Sequence, residues 1–303
     1  MAGMATTRET TTDAPASGVD DRLARELQRV ESSMREAVGD CSSGAVPCAA
    51  VEHLASGGGR FRACLALGAG AALGLRPPLR IALACSVELI HNASLIHDDL
   101  VDRDVQRRAR PAVWVSHGPD RALCAGDLLL SAAYAALARS GPDAPMLLEL
   151  THRRVRDLIN GQGADIGFRP GGDTTVADYE RIAAGKSGPL MSLPIEMCLM
   201  SARRWQALDT AQRCAEAFAV GYQIFDDLAD APGDRRRGAL NIVSVLSDYG
   251  YADPAGQAAW LCDEWLCRAE GFASQLPASC GQQLEGAARR LRGRLVPCRK
   301  TGP

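Results

Sequence analysis

Strand patterning is the first thing this chain is short of. Only 5% of its 303 residues are aromatic, and β-branched or aromatic residues seldom alternate with polar ones, which argues against a sheet-based fold. An excess of one charge sign is also missing: the formal net charge is -2 at pH 7, so there is no basic footprint for nucleic acid. No uninterrupted apolar run approaches the roughly 18 residues of a membrane span. Asp127 breaks the best candidate, ALCAGDLLLSAAYAALA, and the expectation is a soluble, cytoplasmic protein without stable membrane insertion. The eleven cysteines form no CxxC pair and are scattered through apolar segments. They read as buried free thiols of a reducing compartment.

What is present is helical periodicity. It runs through DRLARELQRVESSMREAV, PLRIALACSVELIHNASLIHDD, PDRALCAGDLLLSAAYAALARS, MLLELTHRRVRDLINGQGADI and TVADYERIAAGKSGPLMSLPIEM, with Gly and Pro punctuation between, including Pro170-Gly171-Gly172. Several of these segments are apolar nearly all round, the mark of interior helices. The expected fold is all-α, a single bundle-like domain of about ten helices over 21–303. Residues 1–20, rich in Thr, Ala and Asp without an apolar block, read as a disordered tail with no secretory signal.

One motif occurs twice. Asp98, Asp99 and Asp102 end one apolar helix in LIHDDLVD, and Asp226, Asp227 and Asp230 end another in YQIFDDLAD; arginines follow each. Residues four apart share a helix face, so Asp98 pairs with Asp102 and Asp226 with Asp230. Two carboxylates about 4 Å apart repel by roughly 4 kcal/mol at an effective dielectric near 20, so each cluster calls for a cation. Hard oxygen ligands favour Mg²⁺, and the arginines favour phosphate. Facing acidic helix ends can hold Mg²⁺ ions that draw off a diphosphate by Lewis-acid catalysis, with the apolar helices behind lining a cavity for a hydrocarbon tail. Asp104 also fits a longer DDxxxxD spacing. On a continued helix it would sit about 120° off the Asp98 face, which favours Asp102.

In order, GGGRFR (57–62), VELIHNASLIHDDLVD (87–102), the pair Arg107 and Arg108, AGDLLLS (125–131), GQGADI (161–166), KSG (186–188) and YQIFDDLAD (222–230) resemble the trans-isoprenyl diphosphate synthase, or polyprenyl synthetase, family. The resemblance is closest in type to bacterial geranylgeranyl and farnesyl diphosphate synthases. It implies an isoprenoid synthase fold around a central cavity, a homodimer, and Mg²⁺-dependent condensation of isopentenyl diphosphate with an allylic diphosphate. It further implies Asp98, Asp102 and Asp226 as Mg²⁺ ligands, with Asp99, Asp227 and Asp230 in the same clusters. Arg107 and Lys186 would hold the allylic diphosphate, Ser187 and Gln223 would flank the developing cation, and Arg62, His91 and Arg108 would bind isopentenyl diphosphate. Plainer readings stand beside these. Lys186 is also compatible with a surface lysine, His91 with a core histidine and Gln223 with an interhelical hydrogen bonder, while Asp127 and Asp165 read as structural.

The chain departs from the family pattern at two places. The usual GGKRxRP reads GGGRFRA, with Gly59 for a phosphate-binding lysine and Ala63 for the proline; Arg60 is the adjacent replacement. After the second aspartate motif, Gly238 is followed by Ala239 instead of lysine, with Arg235, Arg236 and Arg237 as substitutes. Losing a charged phosphate contact costs about 1.5 to 3 kcal/mol. Two alternatives follow: a terpene cyclase of the same fold acting on a single allylic diphosphate, and a non-catalytic partner subunit. Upstream of Asp98, Ala93 and Ser94 are small and leave the tail cavity open, which favours geranylgeranyl diphosphate as product and predicts that Ala93→Phe shortens it.

Overall fold

A computed structural model describes residues 19–167 and 174–295. The expected tail up to residue 18 and the Pro170-Gly171-Gly172 punctuation lie outside the described residues. Those residues form twelve α-helices and one two-residue hairpin. The architecture is all-α as expected, with more helices than the ten counted from periodicity, because short helices such as α5 (Val113–His117) and α10 (Ile242–Asp248) carry too few turns to show a period.

The N-terminal part comprises α1 (Val19–Val38), α2 (Ala45–Ala55), α3 (Phe61–Ala72) and α4 (Pro77–Asp102). After the hairpin β1 (Gln106–Arg107) and β2 (Arg110–Pro111) come α5, α6 (Pro119–Ala138), α7 (Ala144–Ile166), α8 (Val176–Ser201) and α9 (Leu208–Arg237). Helices α10, α11 (Pro254–Ser274) and α12 (Gln282–Leu295) pack on the outside of α9 and α8. Proline at the first turn of α4, α6 and α11 suits a position whose N–H has no helical acceptor. A reciprocal cap starts α8, with Asp178 N–H donating to Thr175 Oγ1 at 3.0 Å and Thr175 N–H donating to Asp178 Oδ2 at 3.2 Å.

Helix α8 is the interior strut, its run from Leu190 to Met200 wholly buried, and it packs against α3, α4, α7 and α9. Two buried ion pairs pin the frame. Arg80 on α4 forks onto Glu26 of α1 and donates to Leu75 O at 2.7 Å. Arg154 on α7 forks onto Glu196 of α8 at 2.8 and 2.6 Å. Removing one partner of such a pair costs about 3 to 5 kcal/mol, because the other charge stays buried.

By length and mean hydropathy α4 and α6 reach the range of a membrane span although neither holds an uninterrupted apolar run, because an average tolerates the single polar residues that interrupt one. In α4 the apolar window is 67% buried within the bundle; in α6 it is 39% buried. The ten described cysteines are all free, but Cys41, Cys124 and Cys267 are exposed, so burial does not hold for all of them.

Candidate functional site

Helix α4 stops at Asp102, where Arg103 takes a left-handed conformation (φ 57°) and caps Asp99 O. The helical angle used against Asp104 therefore does not apply, since Asp104 lies beyond the helix, 3.8 Å from Arg107. The chain then reverses through Arg108 and Ala109, both left-handed at φ 53° and 59°. Two positive-φ residues between paired strands make the hairpin turn whose twist matches its strands, at about 1 to 2 kcal/mol for each non-glycine residue. The turn sets Arg107 against Asp99: Nε donates to Oδ1 at 2.8 Å, and Nη2 donates to the same oxygen. Asp99 is 1% exposed, and burial raises its pKa even against Arg107. Arg107 and Asp99 thus hold each other in this structure, with Arg107 Nη1 outside the pair. Asp98 is half-buried and Asp102 exposed. Burial, reinforced by Asp102 and opposed by Lys186, pushes the Asp98 carboxyl up to about 6.

The second motif repeats this division. Asp227, 2% exposed, accepts hydrogen bonds from the Tyr179 hydroxyl at 2.8 Å, Gln223 Nε2 at 2.8 Å and the Ile242 N–H at 2.9 Å. Asn241 adds a clamp, donating to Asp227 O at 3.0 Å and to Asp234 Oδ2 at 2.9 Å. Asp227 therefore joins α8, α9 and the start of α10 and acts as an anchor. Burial takes its carboxyl up to about 6 despite those three donors. Asp226 is half-buried and Asp230 exposed, so in both motifs the middle aspartate faces inward while the outer pair stands nearer solvent. Tyr179 and Asn241 carried no signal in the sequence, because partners 48 and 14 residues away leave no spacing pattern.

Helix α8 connects the two motifs, since it carries both Tyr179 and Lys186. A Cβ on Gly161 of α7 would lie 2.3 Å from the Gly185 backbone; only glycine lets α7 and α8 cross this closely. One turn on, Asp165 meets Lys186 at 2.5 Å. Burial opposes the lysine's charge, but Asp165, Asp98 and Asp102 outweigh it and hold its pKa above the ordinary value. Lys186 is thus a tethered cation facing the first aspartate pair, and the surface reading fails. Asp165 positions it, as a structural reading of that residue requires. Ser187 beside it is half-buried. Gln223 donates its amide to Asp227, which leaves Oε1, the end able to face a cation, unused by that bond. Ala93 is 3% exposed, and Ser94 donates to His91 O at 2.9 Å. Gly126 serves packing, since a Cβ there would strike His97, and the exposed Asp127 lies 3.6 Å from the same imidazole.

A basic cluster lies around His91, about two turns before Asp98 on α4. Arg62 Nη1 and His91 Nε2 are 3.1 Å apart. Burial, with Arg62 and Arg108 next, holds His91 well below its usual range, so the neutral ring accepts from Arg62. Arg108 donates to Gly57 O and, at 3.3 Å, to Ser56 Oγ, and a Cβ on Gly58 would lie 2.5 Å from its guanidinium. Arg60 does not replace the missing lysine. It caps α3 in a left-handed conformation (φ 46°) and turns inward to Glu31 at 3.2 Å and Leu54 O at 2.8 Å. At Gly59 a Cβ would meet nothing within 4 Å. Ala63 donates its N–H to the buried Glu88 at 3.0 Å, a bond proline lacks. Arg235 reaches Ser247 Oγ at 3.4 Å; the side chains of Arg236 and Arg237 lie outside the described residues.

The donor chemistry fits a divalent cation. Asp98, Asp102, Asp226 and Asp230 offer hard oxygens, and burial, with Asp102 beside it, raises the Asp98 carboxyl against the pull of Lys186. Among the described residues no three acidic, histidine or cysteine side chains close a metal site alone. Mg²⁺ keeps waters and takes phosphate oxygens, so one or two carboxylates per ion suffice.

A sequence model described as polyprenyl synthetase matches residues 47–239. The (2E,6E)-farnesyl diphosphate synthase of Mycobacterium tuberculosis is 33% identical over 221 residues, 68% of this chain and 62% of that relative. A short chain isoprenyl diphosphate synthase of Methanothermobacter thermautotrophicus is 31% identical over 220 residues, 71% of this chain and 67% of that relative. The chain thus aligns with about three fifths of the length of the farnesyl diphosphate synthase. The crystal structure of geranylgeranyl pyrophosphate synthetase from Pyrococcus horikoshii superposes with a TM-score of 0.80 at 23% identity, covering 90% of this chain and 98% of that one, which shows a shared fold. The matched stretch contains both aspartate motifs, the tethered lysine and the basic cluster, and on that ground the chain belongs to the polyprenyl synthetase family.

Proposed function

We propose that this chain is a cytoplasmic trans-prenyltransferase that joins isopentenyl diphosphate to an allylic diphosphate, releasing inorganic diphosphate, with geranylgeranyl diphosphate as product. The observation that carries this reading is the division within each aspartate motif: the middle residue is bonded into the fold, and the outer pair stands nearer solvent, where it would meet a cation. Mg²⁺ would be held by Asp98 and Asp102 on one side and by Asp226 and Asp230 on the other, where it would neutralise the leaving diphosphate and act as a Lewis acid. Lys186, steered by Asp165, adds a fixed positive charge beside the first pair. Gln223 Oε1 and the Ser187 hydroxyl place oxygen dipoles near the allylic carbon as positive charge grows there. Arg62, polarised against neutral His91, offers a cation for the second diphosphate. The departing diphosphate takes the proton lost on condensation. A second copy of the chain would complete a homodimer.

A second reading, a terpene cyclase acting on one allylic diphosphate, is favoured by a single observation: Arg60 is committed to Glu31 and Leu54, so the position of the missing lysine has no substitute there. Incubation with Mg²⁺, isopentenyl diphosphate and an allylic primer tests the first reading. Incubation with farnesyl or geranylgeranyl diphosphate alone tests the second. Longer prenyl alcohols after phosphatase support the synthase; hydrocarbons or cyclic alcohols without elongation support the cyclase.

A further inference from the structure

Between α2, the hairpin and α5 lies a cavity of about 290 Å³, lined by His53, Ser56, Arg107, Arg110, Ser116 and His117 among others. It does not include Arg62, His91 or Lys186 and shares Arg107 and Ser56 with the site described above. The lining is cationic on one side and has little else to satisfy it. His53 is 5% exposed, and its Nε2 has no hydrogen-bond partner. Arg107 uses Nε and Nη2 on Asp99, which leaves Nη1 outside that fork. Arg110 is exposed at the cavity. The one carboxylate in the lining, Glu52, is paired with His117 at 2.8 Å.

We propose that this cavity is a second anion pocket, which takes a diphosphate group between Arg107, Arg110 and the His53 imidazole, and that His53 gains a proton as the anion enters. A buried imidazole among guanidinium groups is held neutral by its surroundings, and an anion reverses that preference by supplying the missing counter-charge. The surroundings here are of that kind. Burial, with Arg108 and Arg107, lowers the His53 pKa to about 4, with Arg60 acting in the same sense and Asn92 opposing. His91 on α4 is neutral, so the guanidinium groups dominate the inner wall. Arginine suits the ligand because its fork matches phosphate oxygens. The diphosphate has two possible sources, the inorganic ion released by prenyl transfer or the head of an isoprenoid diphosphate, and the first follows only if the proposed reaction holds.

Calorimetric titration of the full chain tests this, with inorganic diphosphate, EDTA present, at pH 6 and pH 8 in buffers of different ionisation enthalpy. The ligand's own titration cancels when parent and His53→Gln are compared. The parent is expected to take up about one more proton per diphosphate than His53→Gln and to bind about tenfold more tightly at pH 6, with the gap closing at pH 8. Arg110→Gln, a change at an exposed position, is expected to weaken binding about tenfold at both pH values, and it decides the matter alone if His53→Gln does not fold. Repeating the titration with isopentenyl diphosphate identifies the source. His53-linked proton uptake with both ligands means an isoprenoid head is accepted, and uptake with the inorganic ion alone means a released-diphosphate site. Equal affinity and equal proton uptake in parent and variants overturn the proposal. Binding of this kind in a chain that makes no prenyl product would retain the pocket and reject the proposed reaction.

Discussion

Replacing Asp227 with alanine separates an anchor from a metal ligand. The change leaves the Tyr179 hydroxyl and the Ile242 N–H, both buried and now bonded to the carboxylate at 2.8 and 2.9 Å, without an acceptor. Each orphaned donor costs about 1 to 3 kcal/mol, whereas the half-buried Gln223 amide can turn to water. Part of this is offset, because the variant no longer buries a carboxylate that burial already drives toward protonation, with a pKa of about 6. The net expectation is a loss of about 3 kcal/mol in metal-free buffer, read as a lower urea midpoint at unchanged slope. Asp102→Ala, at an exposed helix end, should stay within about 0.5 kcal/mol of the parent while losing the stabilisation that Mg²⁺ with diphosphate confers. An Asp227→Ala chain as stable as the parent without metal, yet unresponsive to Mg²⁺ with diphosphate, would refute the anchor role.

Four further outcomes are expected. Gly161→Ala drives a Cβ to within 2.3 Å of the Gly185 backbone, so it should cost about 1 to 3 kcal/mol and lower turnover by moving Asp165 from Lys186; Gly163→Ala, with nothing within 4 Å, should do neither. Gly59→Lys meets open space and restores a charged phosphate contact of about 1.5 to 3 kcal/mol, so KM for isopentenyl diphosphate should fall roughly ten- to hundredfold, with melting temperature unchanged. Because the His53 pKa is lowered from 6.5 to about 4, the unfolded chain binds that proton more readily. Its contribution, about 2 to 3 kcal/mol, is full above pH 6.5 and lost as pH falls toward 4, and His53→Gln should flatten this part of the stability profile measured by denaturant. Ala93→Phe should shorten the product, read by mass spectrometry of the released alcohols.

The long helices were legible because their apolar residues repeat over five or more turns, and the doubled aspartate motif announced the site. What each aspartate does was less legible, although 100° per residue already separates Asp99 from Asp98. Which face turns inward depends on Arg107, and Arg107 depends on a turn built from Arg108 and Ala109 with none of the usual glycine or asparagine. Arg60 shows the opposite failure: its place beside Gly59 suggested a phosphate contact, and its left-handed backbone with Glu31 across from it turns it inward. His53 carried no motif and became visible only when α2 and the hairpin enclosed it.

The most direct test of the central claim is elongation itself: purified chain, Mg²⁺, isopentenyl diphosphate and an allylic diphosphate, with products analysed as alcohols by mass spectrometry. Mg²⁺-dependent prenyl alcohols longer than the primer, up to geranylgeraniol, are expected from the parent chain and none from Asp98→Ala or Asp226→Ala. Consumption of the allylic diphosphate to hydrocarbons without any longer prenyl alcohol would contradict prenyl transfer.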